Sequence, residues 1–310
     1  MEKNKPLVSY CLLCYNQEEY IAEALNSALN QDYSNLEIIV SDDCSRDNTV
    51  GVIQGIVSCY KGSHRVYVNK NKSNLGIVEH FNYVIQNLVH GQYIALAAGD
   101  DISFSYRITK SIELIEKYKL NTITFNGEYI DKNGFKLNKR IYERTTGIDV
   151  FTLDDYIKKD CLNIHGASRC FYKGLLAPFE PLKKETPTED TTLTLRAVLT
   201  GKVGCCYEPI ICYRTHDKNL SGLSSLLKMD YWAIAEQYRY DINDIRDSIS
   251  EEYYSQLEKK IDRYVRKCEL FRLKKRDLFN PKYFFGLVFS RYFSIRGKLS
   301  IIKRVLFTNM

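Results

Sequence analysis

The chain has 310 residues, 45% of them hydrophobic, with 44 Lys and Arg against 38 Asp and Glu for a formal net charge of +6. That is enough apolar material for a sizeable core, yet no run reaches the ~18 apolar residues of a membrane-spanning helix. The short apolar stretch after Pro6 reads as a strand, not as a secretion signal, and the ten cysteines contain a lone Cys11-x-x-Cys14, which excludes a paired-CxxC zinc site and fits reduced, buried thiols.

Leu7 to Cys14 is a continuous apolar run, the pattern of a strand buried on both faces. Glu19 to Asn30 places Ile21, Ala24, Leu25, Ala28 and Leu29 at helical spacing, and Leu36 to Val40 is the next apolar strand. Asp47 is positioned to cap a helix carrying Val50, Ile53, Ile56 and Val57. Val66 to Val68 predicts a third strand, Ile77 to Leu88 a helix and Tyr93 to Ala97 a fourth strand, after which Ser103 is placed to cap a helix to about Tyr118. This β-α alternation argues for a mainly parallel α/β sheet flanked by helices.

The pattern then changes. Thr122 to Tyr129 reads as a strand, Asp131-Lys132-Asn133-Gly134 as a hairpin turn, Leu153 to Lys159 as a helix and Glu189 to Leu199 as a clearer one. Short strands are expected near Val203 to Cys206 and Ile210 to Tyr213, and the chain is mostly helical from Leu223 onward. The pattern shows no internal repeat and no low-complexity segment.

Three apolar strands stop abruptly at polar residues: Tyr15-Asn16, Asp42-Asp43 and Asp100-Asp101. Ligands of parallel sheets bind beyond such carboxyl ends. Asp42 can accept hydrogen bonds from a ligand, or it can cap the next helix. Asp100 and Asp101 repel each other unless something positive lies beside them, and a divalent cation bridging phosphate oxygens meets that need; a turn before a helix is the plainer reading. Gly99 would let the backbone approach a ligand. The loop containing Asn74 and Gly76 could face phosphate or sugar, or be an ordinary loop. Thr188-Glu189-Asp190 opens a helix, where acids also suit the dipole. His216, with Arg214, follows the last strand and could meet a metal or diphosphate.

In this order the segments resemble the family-2 glycosyltransferases of the GT-A fold, over roughly residues 6 to 221. The matching pieces are Val8-Ser9 to Tyr15-Asn16, Glu37 to Thr49, Asn74-Leu75-Gly76, Tyr93-Ile94-Ala95 through Asp100-Asp101, Glu189-Asp190, and Tyr213 to His216 with Asn219-Leu220-Ser221. The resemblance implies a nucleotide-sugar site at Tyr15, Asn16, Asp42, Asn74, Gly76, Gly99, Asp100 and Asp101, with UDP as the nucleotide. It implies a divalent cation, Mg²⁺ or Mn²⁺, held by Asp100 and His216, and Asp190 as the base that deprotonates the acceptor hydroxyl in an inverting transfer. Acceptor contacts are expected at His165, Arg169 and Glu189. Two departures stand out: Ala98 occupies the first acidic position of the family's DxD motif, and Leu13-Cys14 stands where many relatives have Pro-Thr.

The implied organisation is a catalytic domain over 1–221, with a nucleotide-sugar half to about 120 and an acceptor half over 121–221, then a helical basic extension over 222–310. Residues 253–310 carry 15 Lys and Arg against 4 Asp and Glu, leaving the remainder at −5. Lys259, Lys260, Arg263, Arg266, Lys267, Arg272, Lys274, Lys275 and Arg276 alternate with Leu257, Ile261, Tyr264, Val265, Leu270, Phe271 and Leu273; aromatic residues 283–289, then Arg291, Arg296, Lys298, Lys303 and Arg304 follow. Cations beside apolar side chains fit an anionic membrane surface or a helical hairpin packed on the catalytic domain. The expectation is peripheral attachment to the cytoplasmic face of the cell membrane, where a lipid-linked saccharide acceptor for surface polysaccharide synthesis would be found. No nucleic-acid partner is expected, because zinc, RNA-recognition and OB-type signals are missing; GxGxxG and GxxxxGK[ST] are missing too. The alternative is a degenerate protein that binds nucleotide sugar without turnover.

Overall fold

In a computed structural model the chain forms an α/β fold around one ten-stranded sheet. The structure describes residues 5–159, 162, 164–217, 219, 223–271, 273, 279–290 and 295–307. Cys161, Asn163, Lys218, Leu220, Ser221, Arg272, Lys274, Lys275, Arg276 and Arg291 lie outside the described residues, as do the side chains of Arg296 and Arg304 and the boundary at 221/222.

The first half alternates β1 (Val8–Cys14), α1 (Ile21–Leu29), β2 (Leu36–Asp42), α2 (Thr49–Cys59), β3 (Arg65–Lys70), α3 (Ile77–Asn87) and β4 (Tyr93–Ala98). Then come β5 (Ile102–Ser103), α4 (Arg107–Tyr118), β6 (Thr122–Ile130), β7 (Lys136–Arg140), β8 (Ile148–Phe151), α5 (Leu153–Lys158), β9 (Cys170–Tyr172), α6 (Asp190–Thr200) and β10 (Val203–Arg214). The remaining helices are α7 (Leu223–Lys228), α8 (Tyr231–Asp244), α9 (Glu251–Phe271), α10 (Pro281–Val288) and α11 (Ile295–Phe307).

The strand order is β3-β2-β1-β4-β9-β6-β10-β5, with β7 on β6 and β8 on β10. β3, β2, β1 and β4 run parallel, and β9 joins antiparallel between β4 and β6. Cys14 lies opposite Asp42, and Leu13 opposite Ala98, so three strands end along one line. Side chains alternate across a strand, and the core divides accordingly. Tyr10, Leu12, Ile38 and Val40 face α1, α2 and α4, whereas Cys11, Ile39, Ile94 and Leu96 face the side packed by α3, α6, α8 and α9.

Three local expectations change. Ser103 does not cap α4; it pairs with Ile211 of β10, and α4 starts at Arg107 without a side-chain cap. The two short strands expected after α6 are one strand, β10, carried past Pro209 by bulges on either side of that residue. The apolar face of α9 is not free: Leu257, Ile261 and Val265 are buried in the same cluster as the sheet. α8 is tied to α6 by a buried pair, Arg196 to Asp241 at 2.8 Å, with Gln237 also donating to Asp241. Among the described residues no helix is long and apolar enough to cross a membrane.

If α9 is part of the core, truncating its buried face must destabilise the whole fold. Leu257→Ala is expected to cost about 2–5 kcal/mol, the range for a fully buried Leu, measured by denaturant unfolding of the full chain. An unchanged midpoint would mean that α9 is only loosely attached.

Candidate functional site

The loops after β1 and β2 are laced together. Asn16 sits at φ 52°, its N–H donates to Ser45 Oγ at 2.8 Å, and its side-chain oxygen accepts from the Arg46 N–H at 2.8 Å. Gln17 N–H donates to Thr49 Oγ1 at 2.8 Å, and Asn48 N–H to Glu18 at 2.7 Å. Tyr15, at the turn, is 39% exposed on the cleft wall. Asp43 organises the next loop: its carboxylate accepts from Asn71 Nδ2 at 2.8 Å and from the Leu75 and Gly76 N–H groups at 2.9 Å. Gly76, at φ 80°, then leads into α3. Below this loop, His80 bonds Ser41 Oγ at 2.7 Å, and burial pushes its imidazole below the ordinary histidine value.

The Asp100–Asp101 turn is held by one residue. Arg214, fully buried, donates from Nε to the Asp100 carbonyl at 2.9 Å and from Nη2 to Glu23 of α1 at 2.9 Å. Nη1 donates to the Lys132 carbonyl at 3.1 Å, and the backbone N–H of Arg214 donates to Asp101 Oδ1 at 2.9 Å. Burial, then the Asp100 carboxylate, push Asp101 well above the usual carboxylate range. The guanidinium lies 5.0 Å from the centre of the Tyr20 ring, and Tyr20 in turn stacks on His216 at 4.9 Å and 22°. His216 Nε2 is 2.9 Å from Asp100 Oδ2.

Among the described residues no group of three or more His, Cys, Asp or Glu forms a metal cage. Asp100 and His216 do fit a cation that takes most of its ligands from elsewhere, since Mg²⁺ commonly uses one or two carboxylates with phosphate and water.

Asp190 opens α6 on the far side of the cleft, its side chain 42% exposed. Beneath it Arg169 is fully buried and donates to the Asp190 carbonyl at 3.0 Å and to Thr194 Oγ1 at 2.9 Å, with Nε 3.9 Å from the Asp190 carboxylate. A Cβ on Gly166 would come 1.8 Å from Asp190 Oδ1, so a larger residue there would push that carboxylate aside. Burial, then the Asp190 charge, raise Glu189 to about 8, and its Oε2 has no hydrogen-bond partner. Burial lowers His165, whose ring meets Tyr213 edge-on at 5.1 Å.

One continuous cavity of about 1420 Å³ joins these parts. Tyr15, Asn16, Asn74, Gly76, Asp100, Asp101, His165, Glu189, Asp190 and His216 all line it. Three expected contacts lie beneath the surface instead. Asp42 is fully buried, with its oxygens bonded to the N–H and hydroxyl of Ser45. Gly99 is a packing glycine, because a Cβ there would come within 2.7 Å of Cys14 Cβ. Arg169 supports Asp190 from inside. Arg214 likewise faces protein groups on every side rather than a ligand.

Sequence reading passed over Tyr20, Glu23 and His80. A hydrogen bond between Glu23 and Arg214 spans 191 positions, and no local pattern signals it. It gave α7, α8 and α9 no part in the site, reading α9 as membrane-facing or packed on the catalytic domain; residues of all three line the far end of the cavity.

Residues 9–176 match the profile of glycosyl transferase family 2. EpsE of Bacillus subtilis, named as a glycosyltransferase, is 35% identical over 114 residues, 37% of this chain and 40% of its own length. The uncharacterized glycosyltransferase RT0329 of Rickettsia typhi is 30% identical over 242 residues, covering 74% of this chain and 70% of that protein. TuaG of Bacillus subtilis, named for teichuronic acid biosynthesis, is 28% identical over 164 residues, 52% of this chain and 62% of its length. The chain spans only 18% to 40% of the length of several curated relatives. Among solved structures, the 1–349 fragment of S. aureus TarS in complex with UDP has a TM-score of 0.60 at 16% identity, over 92% of this chain and 75% of that one. The mannosyltransferase PcManGT from Pyrobaculum calidifontis, in complex with GDP-Man and Mn²⁺, has a TM-score of 0.61 at 12% identity, over 97% and 79%. At these identities the likeness is one of fold, the GT-A fold.

The Glu189 carboxyl keeps its proton to higher pH in the fold than in the unfolded chain, so it contributes stability below the ordinary carboxylate range that is lost as pH rises through about 8. Glu189→Gln is therefore expected to flatten the fall in unfolding free energy between about pH 5 and 8, measured by urea unfolding across that range. An unchanged slope would mean that Glu189 ionises normally.

Proposed function

The chain belongs to glycosyl transferase family 2; from that premise we propose that it is a glycosyltransferase that moves a sugar from a UDP-hexose or UDP-N-acetylhexosamine, with inversion, to a hydroxyl of a lipid-linked saccharide. The observation that carries this reading is the single cavity lined at one end by Tyr15, Asn74, Gly76, Asp100 and His216 and farther along by Asp190. The nucleotide base and ribose would sit on Tyr15 and Asn16 above the Asp43-organised loop. UDP as the nucleotide is supported by the fold shared with TarS, which is solved with UDP.

A divalent cation, Mg²⁺ or Mn²⁺, would be held by Asp100 and His216 and would supply positive charge to the leaving diphosphate. Tyr20 stacking fixes the plane of His216, and Arg214 fixes the height of the Asp100 turn. Asp190 takes the proton from the acceptor hydroxyl. The freed oxygen forms its bond to the anomeric carbon as the bond from that carbon to the diphosphate breaks on the opposite face. Arg169, below Asp190, holds the first turn of α6 by donating to the Asp190 carbonyl and to Thr194 Oγ1.

A setting in surface polysaccharide assembly is supported by the likeness to TuaG. Peripheral contact with an anionic membrane face is supported by α10 and α11 rather than α9. Phe285 is 54% exposed, Phe289 75% and Ile295 77%, alongside exposed Lys282 and Lys303.

Asp190→Asn is expected to lower transfer on the order of 10²-fold or more, the scale of a positioned proton-transfer group. Release of nucleotide from a panel of UDP- and GDP-sugars with Mg²⁺ or Mn²⁺ measures it, and Asp100→Ala should weaken the metal dependence. Full turnover by Asp190→Asn would refute the base assignment. Nucleotide-sugar binding without release by the wild type, acceptors supplied, would favour the binding-only alternative that Ala98 motivates.

A further inference from the structure

The cavity does not stop at Asp190. It continues between α5, α7, α8 and α9, and its total of about 1420 Å³ exceeds the roughly 300–1,000 Å³ that serves one small ligand. Its charges are sorted along its length. Among the described residues, every Asp and Glu on the wall belongs to the loops after β1, β2 and β4 or to the start of α6. Among the described residues, every Lys and Arg on the wall belongs to the other end: Lys158 and Lys159 where α5 finishes, Lys228 at the end of α7, and Lys260, Arg263 and Lys267 on α9. Glu258 and Asp262, the acids in the middle of α9, are engaged by Arg239 of α8. Between the cations the wall is apolar, with Ile157, Met229, Ile234, Tyr264 and Phe271.

A cationic rim alone would fit any polyanion, and an apolar wall alone would fit any hydrophobe. Both on one wall require an amphiphile with its negative charge where chain meets sugar. We propose that this second compartment binds the phosphate and the adjoining hydrocarbon of a lipid-phosphate acceptor, so that the saccharide projects from it toward Asp190. This deepens the transferase reading and rests on it for the meaning of the acceptor. Lys158 and Lys159 at the end of α5, where the Lys159 carbonyl accepts from Lys260 Nζ at 2.5 Å, and Lys260, Arg263 and Lys267 on α9 would surround the phosphate with donors for charge-assisted hydrogen bonds. The hydrocarbon would displace water from the Met229–Tyr264 side.

The test is calorimetric, on the full chain, with dodecyl phosphate kept below its micelle concentration. Dodecyl maltoside supplies the same chain with a neutral head, and inorganic phosphate the head without a chain; UDP is titrated in parallel. Dodecyl phosphate is expected to bind on the order of tenfold tighter than either control. Arg263→Glu with Lys267→Glu should reduce its affinity on the order of tenfold or more, and Lys158→Glu with Lys159→Glu, at the end of α5, should do so as well. Circular-dichroism melting and the UDP titration check that each variant is folded. Equal binding of the maltoside, unchanged affinity in both folded variants, or no binding of dodecyl phosphate would each overturn the proposal. Binding of dodecyl phosphate without UDP would leave the compartment standing and remove the nucleotide reading. UDP binding without dodecyl phosphate would do the reverse.

Discussion

The buried guanidinium of Arg214 is the constraint on which the cleft depends. It takes five N–H donors into the interior, and the protein meets them with the Asp100 carbonyl, Glu23 and the turn between β6 and β7. A charge of that kind is tolerable only when paired and hydrogen-bonded, because its desolvation is costly. The consequence is geometric. The end of β10, the turn after β4 and the first helix are fixed to one another at the point where Asp100 must face His216. Tyr20 extends the clamp by stacking between Arg214 and His216.

The opposite wall uses the same device. Arg169 lies under the first turn of α6 and bonds its backbone and Thr194, and Gly166 leaves room for the Asp190 carboxylate. α6 is held from behind by the Arg196–Asp241 pair to α8, and α9 closes over that pair's neighbours with Leu257, Ile261 and Val265. The C-terminal helices therefore do two jobs. Their buried faces steady the helix that presents Asp190, and their polar edges finish the cavity beyond it. On α10 and α11, by contrast, large apolar side chains stay exposed. A lipid-bearing acceptor would then meet exposed apolar side chains and a cationic, apolar compartment on helices of the same C-terminal region.

Carboxylates in this cleft are differentiated by environment. Asp42 and Asp43 are adjacent, yet the first is consumed by the Ser45 turn and the second shapes the Asn71–Gly76 loop at the cleft wall. Asp100 faces His216 while Asp101 turns inward to the Arg214 backbone. Glu189 is buried and neutralised, while its neighbour Asp190 is exposed. In each pair one acid builds the wall and the other meets the cavity or the loop beside it. Paired carboxylates repel when both are ionised and buried, so dividing them between interior and surface relieves that cost.

The sequence by itself determined the parallel half of the sheet. Uninterrupted apolar runs at Leu7–Cys14, Leu36–Val40 and Tyr93–Ala97 can only be buried on both faces, and the acids that end them mark the carboxyl edge. Period-3.6 spacing in α1, α3 and α6 was equally plain, and the ordered motifs carried the family. Which acid of each pair is consumed by interior contacts was decided only by the tertiary structure, because Asp42 and Asp43 are equivalent in local pattern and differ in what Ser45, Asn71 and Gly76 offer them. The partner of Arg214 was likewise hidden, since its contact with Glu23 joins segments far apart in the chain. The role of α9 was ambiguous for a physical reason: one apolar stripe with cations beside it suits a bilayer surface and a protein core equally. Burial of Leu257, Ile261 and Val265 against the sheet chose the core, and that choice turned the cations at the stripe's edge toward the cavity.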